Sequence, residues 1–183
     1  NGLTPATLIL DAPFVMEDRP GSFWKPENYS QEFFGPTPLR QGVEHSKNLM
    51  TVRLADYVGM DKIAKTAKKF GVVDDMKPLL ANALGAAETT LQDLTTGYAM
   101  IANGGKRIEP TFIDRVQDRF GQTIFRHDKR ECPACGNMMR WQNQSVPEIV
   151  DKRKRITDPR SVYQVTSILE GVVKRGTGRR LAT

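Results

Sequence analysis

An α+β fold, mainly helical with one β-hairpin, is what this sequence predicts, and three observations carry the prediction. Apolar residues recur at helical spacing over four segments, from Leu49 onward to Gly176. The period shortens to two on either side of Arg119-Phe120-Gly121. The chain has 183 residues, 39% of them hydrophobic and 26% charged, which suits one soluble domain with a real core and argues against wholesale disorder.

In chain order, Asn1 to Leu10 reads as a turn and a short apolar run ending at Asp11-Ala12-Pro13. Phe14 to Pro38 carries Pro20, Pro26, Pro36 and Pro38 among Phe23, Trp24, Tyr29, Phe33 and Phe34. Prolines at that density exclude a long helix, while the aromatics must pack against something. An ordered extended loop follows, either walling a cleft or covering the core. Pro38 to Val43 predicts a short helix running into Glu44-His45-Ser46-Lys47-Asn48.

The next helix covers Leu49 to Val58, and another covers Asp61 to Phe70, where Ile63, Ala64, Ala67 and Phe70 form one stripe and Gly71 stands at the C-cap. Leu79 to Gly85 reads as an apolar turn. Thr90 and Asp93 are spaced as a capping box, with Asp in place of Glu or Gln, and Asn103-Gly104-Gly105 ends that helix. Ile113 to Asp118 and Thr123 to Phe125 predict the hairpin. Arg126 to Arg155 is polar and weakly patterned, so 126–157 is expected to be a loop or insertion. Asp158-Pro159 then supplies an N-cap with proline at the first helical position, and Val162, Val165, Leu169, Val172 and Val173 are the expected buried face.

A net charge of +6 would suit a polyanion. The basic residues are scattered apart from Lys152-Arg153-Lys154-Arg155, however, and no nucleic-acid motif accompanies them, so no nucleic-acid partner is expected. No apolar stretch is long enough to span a bilayer, and no signal peptide opens the chain. Asn1-Gly2 is expected to be a cut inside a longer protein. Cys132-Pro133-Ala134-Cys135 is open to three readings: a local disulfide, free thiols, or a metal pair with His127 that lacks an evident fourth ligand.

Ser46-Lys47-Asn48 is the stretch with chemistry in it. In extended backbone, residues i and i+2 point the same way, so a hydroxyl that passes protons and a carboxamide that donates and accepts could face one cleft. Such a pair suits acyl transfer with a nucleophile from elsewhere; the plainer alternative is that Ser46 or Asn48 caps the helix starting near Leu49. His45 beside Ser46 is not read as a catalytic partner, since sequence neighbours point apart. Glu88 is read as a charge near a helix N-terminus.

Ordered blocks along the chain resemble the transpeptidase domain of bifunctional (class A) penicillin-binding proteins. They are Thr4-Pro5-Ala6-Thr7 through Asp11-Ala12-Pro13, Trp24-Lys25-Pro26-Glu27-Asn28-Tyr29, Gly35-Pro36-Thr37-Pro38-Leu39-Arg40, Ser46-Lys47-Asn48-Leu49, Ala83 to Thr90, Tyr98 to Gly105 and Glu170 to Gly178. The resemblance implies a penicillin-binding-protein and serine β-lactamase-like transpeptidase fold, incomplete here, over 1–183. That family uses S-x-x-K, S-x-N and K-[ST]-G. Ser46-Lys47-Asn48 matches the second, which implies Ser46 as a proton relay and Asn48 as a partner for the acyl donor. No Ser-x-x-Lys stands in the right context, and the third motif is absent; Arg175-Gly176-Thr177-Gly178 is expected to close a helix instead.

The resemblance further implies a longer protein, on the periplasmic side of the bacterial inner membrane and anchored by a segment outside this chain. It implies peptidoglycan stem peptides and β-lactams as partners, no cofactor, no metal, and a glycosyltransferase activity elsewhere in that protein. These 183 residues alone are expected to be catalytically incomplete. The competing expectation is a non-catalytic cell-wall or protein-binding module with the same fold.

Overall fold

The computed structural model describes residues 2–130, 132, 135, 143, 145–147 and 149–181. Residues 1–107 with 155–183 form one compact unit and 108–154 a second.

In the first unit, β1 (Leu8–Asp11) opens the chain, and a hairpin follows of β2 (Met16–Arg19) and β3 (Ser22–Trp24), turning at Pro20-Gly21. β4 (Gly35–Pro38) returns antiparallel to β1, with Leu8 opposite Pro38 and Asp11 opposite Gly35. The segment expected to be loop throughout therefore contains three strands. Its prolines are compatible with that: Leu39 N–H donates to Thr7 O at 2.8 Å, so the odd-numbered residues of this stretch face β1. Pro36 and Pro38 then direct their missing donors at the open edge, where a strand tolerates proline.

Five helices follow: α1 (Leu39–Glu44), α2 (Asn48–Val58), α3 (Met60–Lys69), α4 (Leu91–Ala102) and α5 (Pro159–Lys174), with a 3₁₀ turn at Leu80–Leu84. Their ends follow local rules. Gly71, at φ +67°, ends α3 in a left-handed cap, with Val72 N–H returning to Ala67 O. Thr90 accepts from Asp93 N–H at 3.0 Å and Asp158 from Arg160 N–H at 2.7 Å, so both expected N-caps are in place. The amide of Arg160 is also the main reason the Asp158 carboxyl is held below the ordinary aspartate range.

The core gathers around α2. Val52, Ala55, Met60 and Leu80 are buried, with Phe14, Met16, Trp24 and Ile63 packed against them. Complete burial of Leu49 and Val52 contributes about 1.5–3 kcal/mol per side chain. Phe14 and Trp24 meet edge to face at 6.4 Å, and the packing of both against the cluster fastens the aromatic segment to α2. Arg53 on α2 reaches back to the carbonyls of Ala12 and Pro13 at 3.2 and 2.6 Å.

On α5 the buried positions are Val162, Ile168 and Gly171. Val165, an expected core residue, is 41% exposed because it opens on an apolar groove among α3, α4 and α5. The same helix end is locked onto α1. Glu44, 1% exposed, accepts from Arg175 Nη2 at 2.6 Å and Nε at 2.9 Å, while Glu44 O accepts from Thr177 N–H at 3.1 Å. Arg175 to Gly178 does close a helix, as expected. Where the chain re-enters the unit, Ile156 N–H donates to Gly105 O at 2.8 Å, and a Cβ on Gly105 would lie 2.8 Å from Thr157 Cγ2. Only glycine fits that approach.

The second unit contains β5 (Arg115–Gln117) and β6 (Thr123–Arg126), an antiparallel pair with Val116 opposite Phe125. Asp118 Oδ1 organises the turn by accepting from Phe120 and Gln122 N–H at 2.9 and 2.8 Å. Cys132 and Cys135 form a disulfide across a Cα separation of 5.3 Å. Their sulfurs are committed to each other, which removes the free-thiol and metal readings.

Candidate active site

Ser46 is held by the way α1 ends. Lys47 N–H donates to Gly42 O at 2.8 Å and Ser46 N–H to Val43 O at 3.2 Å. Those two bonds define a Schellman termination, whose residue after the C-cap is left-handed and usually glycine. Ser46 takes that slot at φ +54°. The extended backbone on which the i, i+2 argument depended is therefore replaced by a left-handed residue followed by an extended Lys47. A non-glycine residue held there is strained, a condition that clusters at functional sites.

Ser46 lines a cavity of about 510 Å³. Asn28, Tyr29, Phe34 and Thr37 contribute from the aromatic segment and β4, Gln41 and His45 from α1 and its end, and Lys47 completes the rim. The aromatic segment thus performs both expected tasks: Phe14 and Trp24 cover the core, and Tyr29 and Phe34 wall the cleft. His45 folds back on its own helix, with Nδ1 3.1 Å from Gln41 O.

Asn48 is the first residue of α2, and its Nδ2 donates to Glu27 O at 2.9 Å. One amide hydrogen and the carboxamide oxygen remain for another partner. Ser46 and Asn48 thus flank one turn, with Ser46 on the cavity and Asn48, which is not among its lining residues, strapped to the loop that walls it. Neither caps α2: Lys47 occupies the N-cap without a side-chain bond.

Behind the turn is a polar group that sequence reasoning did not single out. Asp11, fully buried, accepts from Asn28 Nδ2 at 2.7 Å through Oδ1. Its Oδ2 has no hydrogen bond among the described residues, and the Lys47 ammonium, 4.0 Å away, answers it as charge alone. Lys47 also lies 3.8 Å from the centre of the Phe34 ring, a cation–π contact. Asp11 and Asn28 stand inside motif blocks, but nothing local indicates that they meet across 17 residues.

The one literal Ser-x-x-Lys, Ser22-Phe23-Trp24-Lys25, begins on β3 with Ser22 and Lys25 both exposed. Lys25 lies beyond the end of the strand, and neither residue lines the cavity at Ser46, so the motif is not read as a nucleophile and base pair. Among the described residues no cluster of His, Cys, Asp or Glu is suited to hold a metal ion.

Comparison with known proteins shows what the chain is similar to. Penicillin-binding protein 1A of Rickettsia bellii is 42% identical over 179 residues, covering 97% of this chain and 23% of that protein. The crystal structure of penicillin-binding protein 1A from Haemophilus influenzae superposes with a TM-score of 0.82 at 26% identity, over 99% of this chain and 29% of that one. Penicillin-binding protein A from M. tuberculosis, solved as a penicillin G acyl-enzyme complex, shares the fold at a TM-score of 0.66 and 21% identity, over 94% of this chain and 40% of that one. The chain thus spans about a quarter of the length of the curated relative it matches. The family model for the penicillin binding protein transpeptidase domain matches residues 1–182, and the chain belongs to that family.

Proposed function

We propose that these residues form part of a peptidoglycan D,D-transpeptidase, and that Ser46 and Asn48 belong to its active site. The observation that carries the reading is Ser46, kept left-handed at the rim of a cavity walled by Tyr29 and Phe34. The reaction is acyl transfer. A serine outside these residues attacks the carbonyl of the penultimate D-Ala of a stem peptide, expelling the terminal D-Ala, whose nitrogen receives a proton. An amine of a neighbouring strand then takes the acyl group, restoring the serine hydroxyl.

Within that scheme Ser46 relays the proton between nucleophile and leaving nitrogen, a role worth about 10²–10⁴-fold. Asn48 offers its remaining N–H and its oxygen to the acyl donor. β-Lactams acylate the same serine; the M. tuberculosis protein of this fold forms an acyl-enzyme complex with penicillin G. On this reading the site works on the periplasmic side of the bacterial inner membrane. The membrane anchor and a glycosyltransferase activity are assigned to other parts of the protein; among the described residues no helix is long and apolar enough to cross a membrane.

A fluorescent penicillin tests the reading. The full-length protein becomes labelled, and Ser46→Ala slows labelling by about 10²-fold or more. The 183 residues alone, without an S-x-x-K nucleophile in a suitable setting, are not labelled covalently. A full-length protein that binds peptidoglycan yet never takes the label is instead a non-catalytic cell-wall module.

A further inference from the structure

We propose that Asn28 is a positioning residue for the Ser46–Asn48 turn, coupling the wall of the cavity to the start of α2. The proposal rests on the reading of Ser46 and Asn48 given above. Asn28 is 3% exposed, and both ends of its carboxamide are used. Nδ2 donates to Asp11 Oδ1 at 2.7 Å and to Glu32 O at 3.0 Å, while Oδ1 accepts from Leu49 N–H at 3.2 Å.

Leu49 N–H is one of the donors that a helix start leaves without an intrahelical partner. A local N-cap would ordinarily satisfy one of them, but residue 47 is lysine and makes no such bond. The acceptor comes from 21 residues away instead. The lysine side chain is thereby released to stand between Asp11 and the Phe34 ring. Asn48 Nδ2 on Glu27 O adds a second strap from the same loop.

A local cap would hold α2 equally well but would leave the exposed Asn48–Glu27 bond as the tie between its first turn and the loop carrying Tyr29 and Phe34. Asn28 joins them, so one buried amide sets the distance between the cavity wall and Ser46. Misplacement of reacting groups by about 1 Å costs about 10²-fold in rate.

The test uses the full-length protein, following acylation by a fluorescent penicillin together with the thermal midpoint. Asn28→Ala is expected to lower the midpoint, because the buried Asp11 carboxylate loses its amide donor, and at temperatures where the variant is fully folded to slow acylation by at least about tenfold. The reciprocal pair Asp11→Asn with Asn28→Asp is expected to regain part of that loss. A carboxylate at 28 still accepts from Leu49 N–H and an amide at 11 donates back to it, while the bond to Glu32 O is given up. Wild-type acylation in Asn28→Ala overturns the positioning role and leaves the family function standing; an unlabelled wild-type protein overturns both. If Asn28→Ala does not fold, the reciprocal pair decides: folded with acylation restored supports the proposal, folded and still slow overturns it. Acylation lost only in step with folding in both variants makes Asn28 a stability residue and also overturns it.

Discussion

Glu44 and Arg175 form a bidentate ion pair 131 residues apart in sequence, with the carboxylate buried and the guanidinium half exposed. Burial makes the pair asymmetric, because removing the arginine leaves a desolvated charge whose remaining cation, Arg40, is 3.4 Å away. Arg175→Met in the full-length protein is expected to cost about 2–3 kcal/mol in urea unfolding of this domain, at or just below the roughly 3–5 kcal/mol of a fully buried broken pair because Arg175 is partly solvated. Arg175→Lys recovers part of the loss, as a point charge cannot make both bonds.

Two glycines near that pair separate rigid from yielding neighbours. A Cβ on Gly171 would fall on Glu44 Oε1, which the ion pair holds in place, so Gly171→Ala is expected to cost about 1–3 kcal/mol or to prevent folding. A Cβ on Gly42 would meet the terminal methyl of Met50 at 2.6 Å. That side chain can swing away, so Gly42→Ala is the milder change. Thermal midpoints of the two variants give the ranking directly.

Ser46→Gly separates stability from activity. Serine in the left-handed slot costs about 1–2 kcal/mol, against about 0.5–1 kcal/mol of added chain entropy for glycine. The variant is expected to be as stable as wild type or up to about 1 kcal/mol more stable, while penicillin acylation falls by about 10²-fold or more. A variant that keeps full acylation removes Ser46 from the proton path.

The N-cap of α5 gives a pH dependence with a definite sign. The Asp158 carboxyl is held below the ordinary range, first by the Arg160 amide and then by the Arg160 guanidinium. Its folded value is the lower one, so its contribution is fully present above the unfolded carboxyl range near pH 4 and is lost as pH falls through the folded value. Asp158→Asn keeps an acceptor but does not titrate. The stability difference between wild type and Asp158→Asn is therefore expected to be flat above about pH 5 and to shrink in acid.

The disulfide closes only a short loop. Chain-entropy arithmetic for such a loop gives about 2 kcal/mol at most, confined to residues 108–154. Replacing Cys132 and Cys135 with serine is expected to leave penicillin acylation unchanged, and a thiol count should rise by two only after reduction of the unfolded wild-type protein.

What was legible in the sequence obeys local rules. Gly71 after an apolar stripe, Thr90 three residues before Asp93, and Asp158 before Pro159 each state a helix end within four residues of chain. The hairpin around Phe120 was legible for the same reason. β4 was not, because Pro36 and Pro38 argue against a strand until the neighbour on one side, and the open edge on the other, are known. The turn at Ser46 was legible as a motif but not as a conformation, since serine is not the residue that a left-handed cap predicts. Asn28 was least legible: its bonds run to Asp11 and Leu49, and only the folded chain brings those three together.

Residues 106 and 155 face each other in an antiparallel bridge, with Ile156 bonded to Gly105 beside it. The intervening 108–154 segment therefore departs and returns through a single doorway whose jambs are already joined. Its length exerts no pull on the helices behind, because closure is accomplished at the threshold rather than across the span. The position is consequently a grafting port: a two-residue turn, a fluorescent protein or an affinity tag with adjacent termini should be accepted there in exchange, giving a handle on the protein.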